Sequence, residues 1–144
     1  MLRIVILSLL LFVSLSSTSF LRKSISRRQS ESENCQAIEG FDCKCSPYRI
    51  TCTTDRVLPS QINILQNERQ KYPSVELVIN GEHEQNVYEY TFEPVKYLYK
   101  TDADNLEFRI KFEKFTALQI PQAGVFNRIF PDNAPANARK HLVK

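Results

Sequence analysis

The stretch Cys35-Gln36-Ala37-Ile38-Glu39-Gly40-Phe41-Asp42-Cys43-Lys44-Cys45-Ser46-Pro47-Tyr48-Arg49-Ile50-Thr51-Cys52 gathers all four cysteines of a 144-residue chain into eighteen residues. The ninety-two residues that follow contain none, so these thiols act locally, at the N-terminal edge of the folded part. Four neighbouring thiols in an oxidising compartment pair into two disulfides, and three pairings are open to them. A Cys43–Cys45 bond is the least favourable of the possible links, because a single intervening residue closes a strained ring. A zinc site is the competing reading. The C-x-C step is unlike the usual C-x2-C knuckle and no histidine lies near, so disulfides are preferred and no metal is expected.

The segment upstream sets the compartment. Met1-Leu2-Arg3 carries one positive charge, Ile4 to Leu15 is almost unbroken Ile, Val, Leu and Phe, and Ser17-Thr18-Ser19 supplies the small residues that a signal peptidase requires. Residues 1–19 therefore read as a secretory signal peptide. The apolar run of about twelve residues falls short of the ~20 that a membrane-crossing helix needs, and no later segment is apolar enough to span. The expected location is secreted, extracellular, with no membrane span in the mature chain.

Removal of residues 1–19 leaves 125 residues, enough for one small domain that covalent staples would help to stabilise. Eighteen Lys and Arg then face sixteen Asp and Glu, a net charge of +2. Because these signs alternate rather than gather into a basic stripe, no nucleic acid partner is expected. Residues 20–33, where serines alternate with Arg22, Lys23, Arg27 and Arg28, have little to bury and read as a flexible lead-in. Arg27-Arg28 would suit a dibasic-cutting protease, although such a pair is more often solvated charge.

Beyond the cysteines, Ile62, Leu65, Arg69 and Tyr72 recur at three- and four-residue steps after Ser60, which predicts a short amphipathic helix over 61–72, ended by Pro73. Val75, Leu77 and Ile79 alternate with Glu76 and Val78 up to Asn80-Gly81, a strand and a turn. Leu106, Phe108, Ile110 and Phe112 alternate with Glu107, Arg109, Lys111 and Glu113, which predicts a strand with one buried and one charged face. Val87 to Lys100, rich in Tyr and Phe, reads as a further strand or turn, and Pro131 to Asn137 as a loop.

The run from Cys43 to Cys52, followed by Val57-Leu58-Pro59-Ser60-Gln61-Ile62, resembles the cysteine-rich N-terminal cap of extracellular leucine-rich-repeat proteins: a C-x-C pair, about six residues, an apolar-x-Cys ending, and a Leu-Pro step. The resemblance implies the pairs Cys35–Cys45 and Cys43–Cys52. The seven residues between Cys35 and Cys43 exceed the family's usual first gap. Leu118-Gln119-Ile120-Pro121-Gln122-Ala123-Gly124-Val125-Phe126 resembles, more loosely, the back half of an extracellular repeat. Such a cap has a physical reason, since the first of a stack of repeats otherwise leaves its core open to water.

The expected class is accordingly α/β or mainly β with few helices: the start of a leucine-rich-repeat-like solenoid, with a cap over 34–72 and irregular strands over 73–144. Leu142-Val143 opens another apolar run and no second cysteine cluster follows, so the chain is expected to be a fragment of a longer protein. The implied function is a secreted or cell-surface module that binds an extracellular protein ligand through Glu107, Arg109, Lys111 and Glu113, with no cofactor and no catalysis. The alternative is a stand-alone, disulfide-stapled effector or inhibitor. His83, between Glu82 and Glu84, is the one triplet that could hold a metal or act as a base, and it reads as a polar turn. Asp102 and Asp104 suit a turn better than a calcium loop. Tyr88, Tyr90, Tyr97 and Tyr99 offer a contact surface or half-buried strand positions.

Overall fold

The computed structural model describes residues 32–81, 85–114, 118–119 and 124–143. The chain divides into two units, Met1–Ser32 and Glu33–Lys144, and the described architecture belongs to the second. The expected signal peptide and all but the last residues of the lead-in lie outside the described residues, as does His83.

Among the described residues the protein is mainly β, with eight strands and two short 3-10 helices: β1 Glu33–Cys35, β2 Asp42–Cys45, β3 Arg49–Thr54, β4 Ser74–Asn80, β5 Gln85–Asn86, β6 Glu107–Glu113, β7 Leu118–Gln119 and β8 Arg139–Val143. Six form one mixed sheet in the order β1-β2-β3-β4-β6-β8, and β5 pairs with β7 separately. The first two pairings are antiparallel and the other three parallel. Arg49, Ser74, Glu107 and Arg139 stand side by side, so the chain advances 25, 33 and 32 residues between neighbouring parallel strands. The small ladder keeps the same interval, Gln85 standing opposite Leu118 at 33 residues.

Strand parity decides the two faces. Ile50, Cys52 and Thr54 of β3 point inward with Val75, Leu77 and Ile79 of β4 and Phe108, Ile110 and Phe112 of β6, all buried. In register, Cys52, Leu77, Ile110 and Leu142 make one row across the sheet. The segments between strands cover this face with Leu58, Ile62, Ile64, Val87, Phe92, Val95, Leu98, Val125 and Ile129. Phe92 stacks on Phe126 at 5.6 Å, and Phe126 tilts against Phe108 at 6.1 Å, so aromatic rings link consecutive connections to the sheet.

Buried polar side chains hold these connections to one another. Gln85, fully buried, accepts from the Leu58 amide and donates to the Arg56 carbonyl, both at 2.9 Å. The Thr91 hydroxyl donates to the Ser60 carbonyl at 3.0 Å and accepts from the Tyr88 amide at 2.9 Å. Thr54 donates to the carbonyl of Gly40, a residue at φ +79° where a side chain would be strained. Each of these groups is satisfied, as burial requires.

The helix expected over 61–72 does not form. Only Gln66–Glu68 makes a 3-10 turn, flanked by extended Leu65 and Arg69. The amides that a helix would use internally are taken by neighbouring segments: Ile62 donates to Thr91, Leu65 to Ala37, Gln70 to Tyr97 and Lys71 to Leu98. Ile62 and Ile64 are both buried, the two-residue period of extended chain, and Gln70 has a left-handed φ of +58°. Tertiary hydrogen bonding thus overrides a pattern of apolar residues that fits either period. Val87 to Lys100 forms turns and a 3-10 helix, Glu93–Leu98, with Pro94 in its first turn. β8 forms even though Arg139-Lys140-His141 carries no apolar alternation.

The cystines are Cys35–Cys45 and Cys43–Cys52, the pairs that the resemblance implies. Cys43 and Cys52 are directly opposed in the β2–β3 ladder and buried, whereas Cys35 and Cys45 are half-buried on the outer ladder.

Two tyrosines test this packing. Burial raises the Tyr99 phenol well above its usual range, helped by nearby Glu107, and its hydroxyl donates to the Glu107 carbonyl at 3.0 Å. Tyr72, opposite Tyr99, is raised by burial and by the hydrogen bond that it donates to Glu68. Both protons are held more tightly in the folded than in the unfolded state, so the stability they add is complete below about pH 10 and falls as pH rises beyond it. In an alkaline titration followed by tyrosinate absorbance, two of the six tyrosines should ionise only together with loss of the far-UV sheet signal. Six equivalent tyrosines titrating near pH 10 would contradict the buried positions.

Candidate functional site

The face of the sheet opposite the core carries the charge. Parity places Arg49, Thr51 and Thr53 of β3 there, with Ser74, Glu76 and Val78 of β4, Glu107, Arg109, Lys111 and Glu113 of β6, and Arg139, His141 and Val143 of β8. Asp42 and Lys44 of β2 join them, opposite Thr53 and Thr51. In register the rows are Arg49-Ser74-Glu107-Arg139, Thr51-Glu76-Arg109-His141 and Thr53-Val78-Lys111-Val143. Parallel sheets are usually covered on both sides. Among the described residues this second side is polar, and apart from Glu76 its strand positions are half-buried or exposed.

Two carboxylates organise the face. Glu76, buried between β3 and β6, receives Lys111 at 3.1 Å and Arg49 at 3.9 Å. Glu107 receives Arg109 at 3.3 Å, His141 Nε2 at 3.4 Å and Arg49 at 3.8 Å, the His141 contact being ionic only when the imidazole is protonated. Arg49 spans both and also donates from Nε to the Ser74 hydroxyl at 3.3 Å. Among the described residues, Lys44 and Arg139 have no carboxylate within ion-pair distance. A guanidinium has no lone pair, so Arg49 cannot take the Ser74 proton, and the pair orients side chains rather than making a nucleophile.

Of the residues expected to read a ligand, Glu107, Arg109, Lys111 and Glu113 lie on the same open face of β6, with Glu113 at its exposed end. The structure adds Arg49, Ser74, Glu76, Arg139 and His141, which sequence reasoning did not select. Glu76 carried a visible signal, a carboxylate inside an apolar alternation. Arg49 was hidden within the cysteine cluster, and His141 within a basic run.

The exposed tyrosines lie elsewhere. Tyr97, in the Glu93–Leu98 helix, sits between Arg69 at 4.9 Å and Lys96 at 5.3 Å, and Arg128 covers Tyr90 at 5.5 Å. A hydrogen bond to Glu93 raises the Lys96 ammonium above its usual range, partly offset by burial. Tyr99 is not part of this surface, being buried against Phe130. One shallow concavity adjoins Lys96, Arg128, Phe130 and Asp132, and another lies along Cys35, Phe41 and Cys43. Among the described residues no group of three or more His, Cys, Asp or Glu is placed to hold a metal ion, and no helix is long and apolar enough to cross a membrane. Comparison with protein-family models, curated proteins and solved structures finds no match to this chain.

Proposed function

We propose that this chain is a secreted or cell-surface recognition module of leucine-rich-repeat type, which binds a protein ligand on the open sheet face and performs no catalysis. The observation that carries the reading is the combination of four in-register parallel strands with a cystine-linked antiparallel hairpin at one end. A stack of repeats produces the first feature and needs the second, because its terminal layer must be shielded from water. The intervals of 33 and 32 residues are longer than the roughly 20–29 of regular leucine-rich repeats. The extra length is taken up by the turns and the 3-10 helix between β4 and β6, and by the turns between β6 and β8.

A rigid sheet that presents charged, pre-oriented side chains suits selective binding, since ordering costs are met in folding rather than at association. Expression of the full chain in eukaryotic cells should yield protein in the medium that begins at Phe20. A photo-reactive residue in place of Thr51 or Val78, applied against an array of extracellular domains, should cross-link a protein that the same probe at Asp104 does not. Retention of the chain in cells, or cross-linking independent of position, would remove the reading.

A further inference from the structure

The four cysteines occupy two adjoining rows of the sheet. In register, Cys35 stands opposite Cys43 and Cys43 opposite Cys52, so three of them line up across β1, β2 and β3. Cys45 lies one row away, between Glu33 and Ile50. Parity turns all four toward the core face. The two bridges are of different kinds: Cys43–Cys52 joins directly opposed residues at a Cα separation of 4.1 Å, and Cys35–Cys45 runs along a diagonal at 5.9 Å. A second pairing uses the same two kinds. Cys35 and Cys43 are directly opposed, and Cys45 and Cys52 lie on a diagonal of the same sense, since Cys45 is two residues beyond the partner of Cys35 and Cys52 two beyond the partner of Cys45. Both pairings join β1 to β2 and β2 to β3. The third, Cys35–Cys52 with Cys43–Cys45, does not, because positions two strands apart are about 9.6 Å from one another, outside the roughly 4.4–6.8 Å that a cystine bridges.

We infer that the cystine-linked strands are a thiol–disulfide exchange site, at which a low-molecular-weight thiol adds to Cys45 and the bridges interchange between two pairings without a change of strand register. Entry is at the outer bridge, because Cys35 and Cys45 are half-buried whereas Cys43 and Cys52 are buried. The thiolate of the small molecule attacks Cys45 Sγ, forms a mixed disulfide there and releases Cys35 as a thiolate. Cys35 and Cys43 line one concavity with Asn34, Gln36, Phe41 and Asp42, so the released sulfur faces Cys43 from the side away from Cys52. Displacement at sulfur runs in line with the leaving group, and Cys35, Cys43 and Cys52 follow one another in that order across the strands. The attack forms Cys35–Cys43 and breaks Cys43–Cys52, with Cys52 leaving as a thiolate. Cys52 then attacks Cys45 Sγ in the mixed disulfide, which forms Cys45–Cys52 and returns the small thiol. Two bridges remain, the thiol is regenerated, and no oxidant is consumed. The exchange needs no ligand on the other face of the sheet.

The test places the full, disulfide-bonded chain in a glutathione redox buffer, quenches with acid, alkylates, and digests with trypsin and a glutamate-specific protease. Cleavage after Glu33, Glu39, Lys44, Arg49 and Arg56 leaves each cysteine in its own peptide, 34–39, 40–44, 45–49 and 50–56. Before exposure to glutathione, 34–39 should be linked to 45–49 and 40–44 to 50–56. Afterwards the links 34–39 to 40–44 and 45–49 to 50–56 should appear within about tenfold of the original pair, with glutathione on 45–49 as the intermediate and the far-UV circular dichroism unchanged. Cys45→Ala should reach the Cys35–Cys43 link with no added thiol, leaving Cys52 to be alkylated. Persistence of the original links alone, a link of 34–39 to 50–56 in equal yield, or a Cys45→Ala chain in which only Cys35 is alkylated would each overturn the inference.

Discussion

Replacement of Cys43 and Cys52 together by alanine is expected to unfold the domain at physiological temperature, while replacement of Cys35 and Cys45 leaves it folded but less stable. The two bridges close loops of almost equal length, with sequence separations of 9 and 10. Chain entropy therefore assigns each about the same contribution, roughly 3 kcal/mol. What separates them is position. Cys43 and Cys52 are buried, and Cys52 lies in the row that runs through Leu77 and Ile110 to Leu142. Removing two sulfurs there opens a void beside β4 and adds roughly 1–2 kcal/mol to the loss. A total of about 4–5 kcal/mol is close to the whole stability of a small domain. Cys35 and Cys45 are half-buried at the edge, so their loss costs little beyond the loop term. Urea denaturation of the two double variants measures the difference, and the same ordering should appear under limited reduction, with Cys35–Cys45 opening first. Equal losses would mean that the inner bridge only shortens the unfolded chain and packs against nothing that matters.

The contrast also marks what a linear reading can reach. The cysteine cluster was legible because disulfide chemistry depends on local spacing and compartment, and β4 and β6 because one buried face imposes alternation on Val75 to Ile79 and Leu106 to Phe112. β8 was not legible, since its inward positions are Lys140 and Leu142 and its outward ones Arg139, His141 and Val143. The helix expected from Ile62, Leu65, Arg69 and Tyr72 failed for a related reason. Spacing says which residues are apolar, but the amides of Ile62, Leu65 and Gln70 are claimed by Thr91, Ala37 and Tyr97, and those partnerships depend on the stacking of distant segments. The candidate site was half visible. Glu107, Arg109, Lys111 and Glu113 share a face by parity alone, yet Arg49 reaches Glu107 and His141 reaches it from the other side only because parallel register aligns residues 49, 107 and 141 across the sheet. Nothing local in the sequence specifies that register.

Phe92→Ala is expected to destabilise the domain by about 3–5 kcal/mol, in the upper half of that range. Its ring is fully buried and stacks on Phe126, which leans on Phe108 of β6, so the cavity would open where two successive connections meet the sheet. Collapse into that cavity is hindered by the backbone around it. The Thr91 hydroxyl holds the Ser60 carbonyl, the Thr91 carbonyl receives the Ile62 amide, and the Val95 amide returns to the Phe92 carbonyl at 3.1 Å. A pinned segment cannot move inward to recover contacts, and the spread of large-to-small costs follows how far a site can relax. Tyr90→Ala, two residues away, removes an exposed ring whose described contact is the Arg128 guanidinium, and should cost no more than about 1 kcal/mol. Denaturation midpoints of the two variants, at unchanged slope, decide the matter. A loss for Phe92→Ala no larger than that for Tyr90→Ala would mean that the connections do not pack on one another through this ring, and that the sheet is held together by strand pairing and the cystines instead.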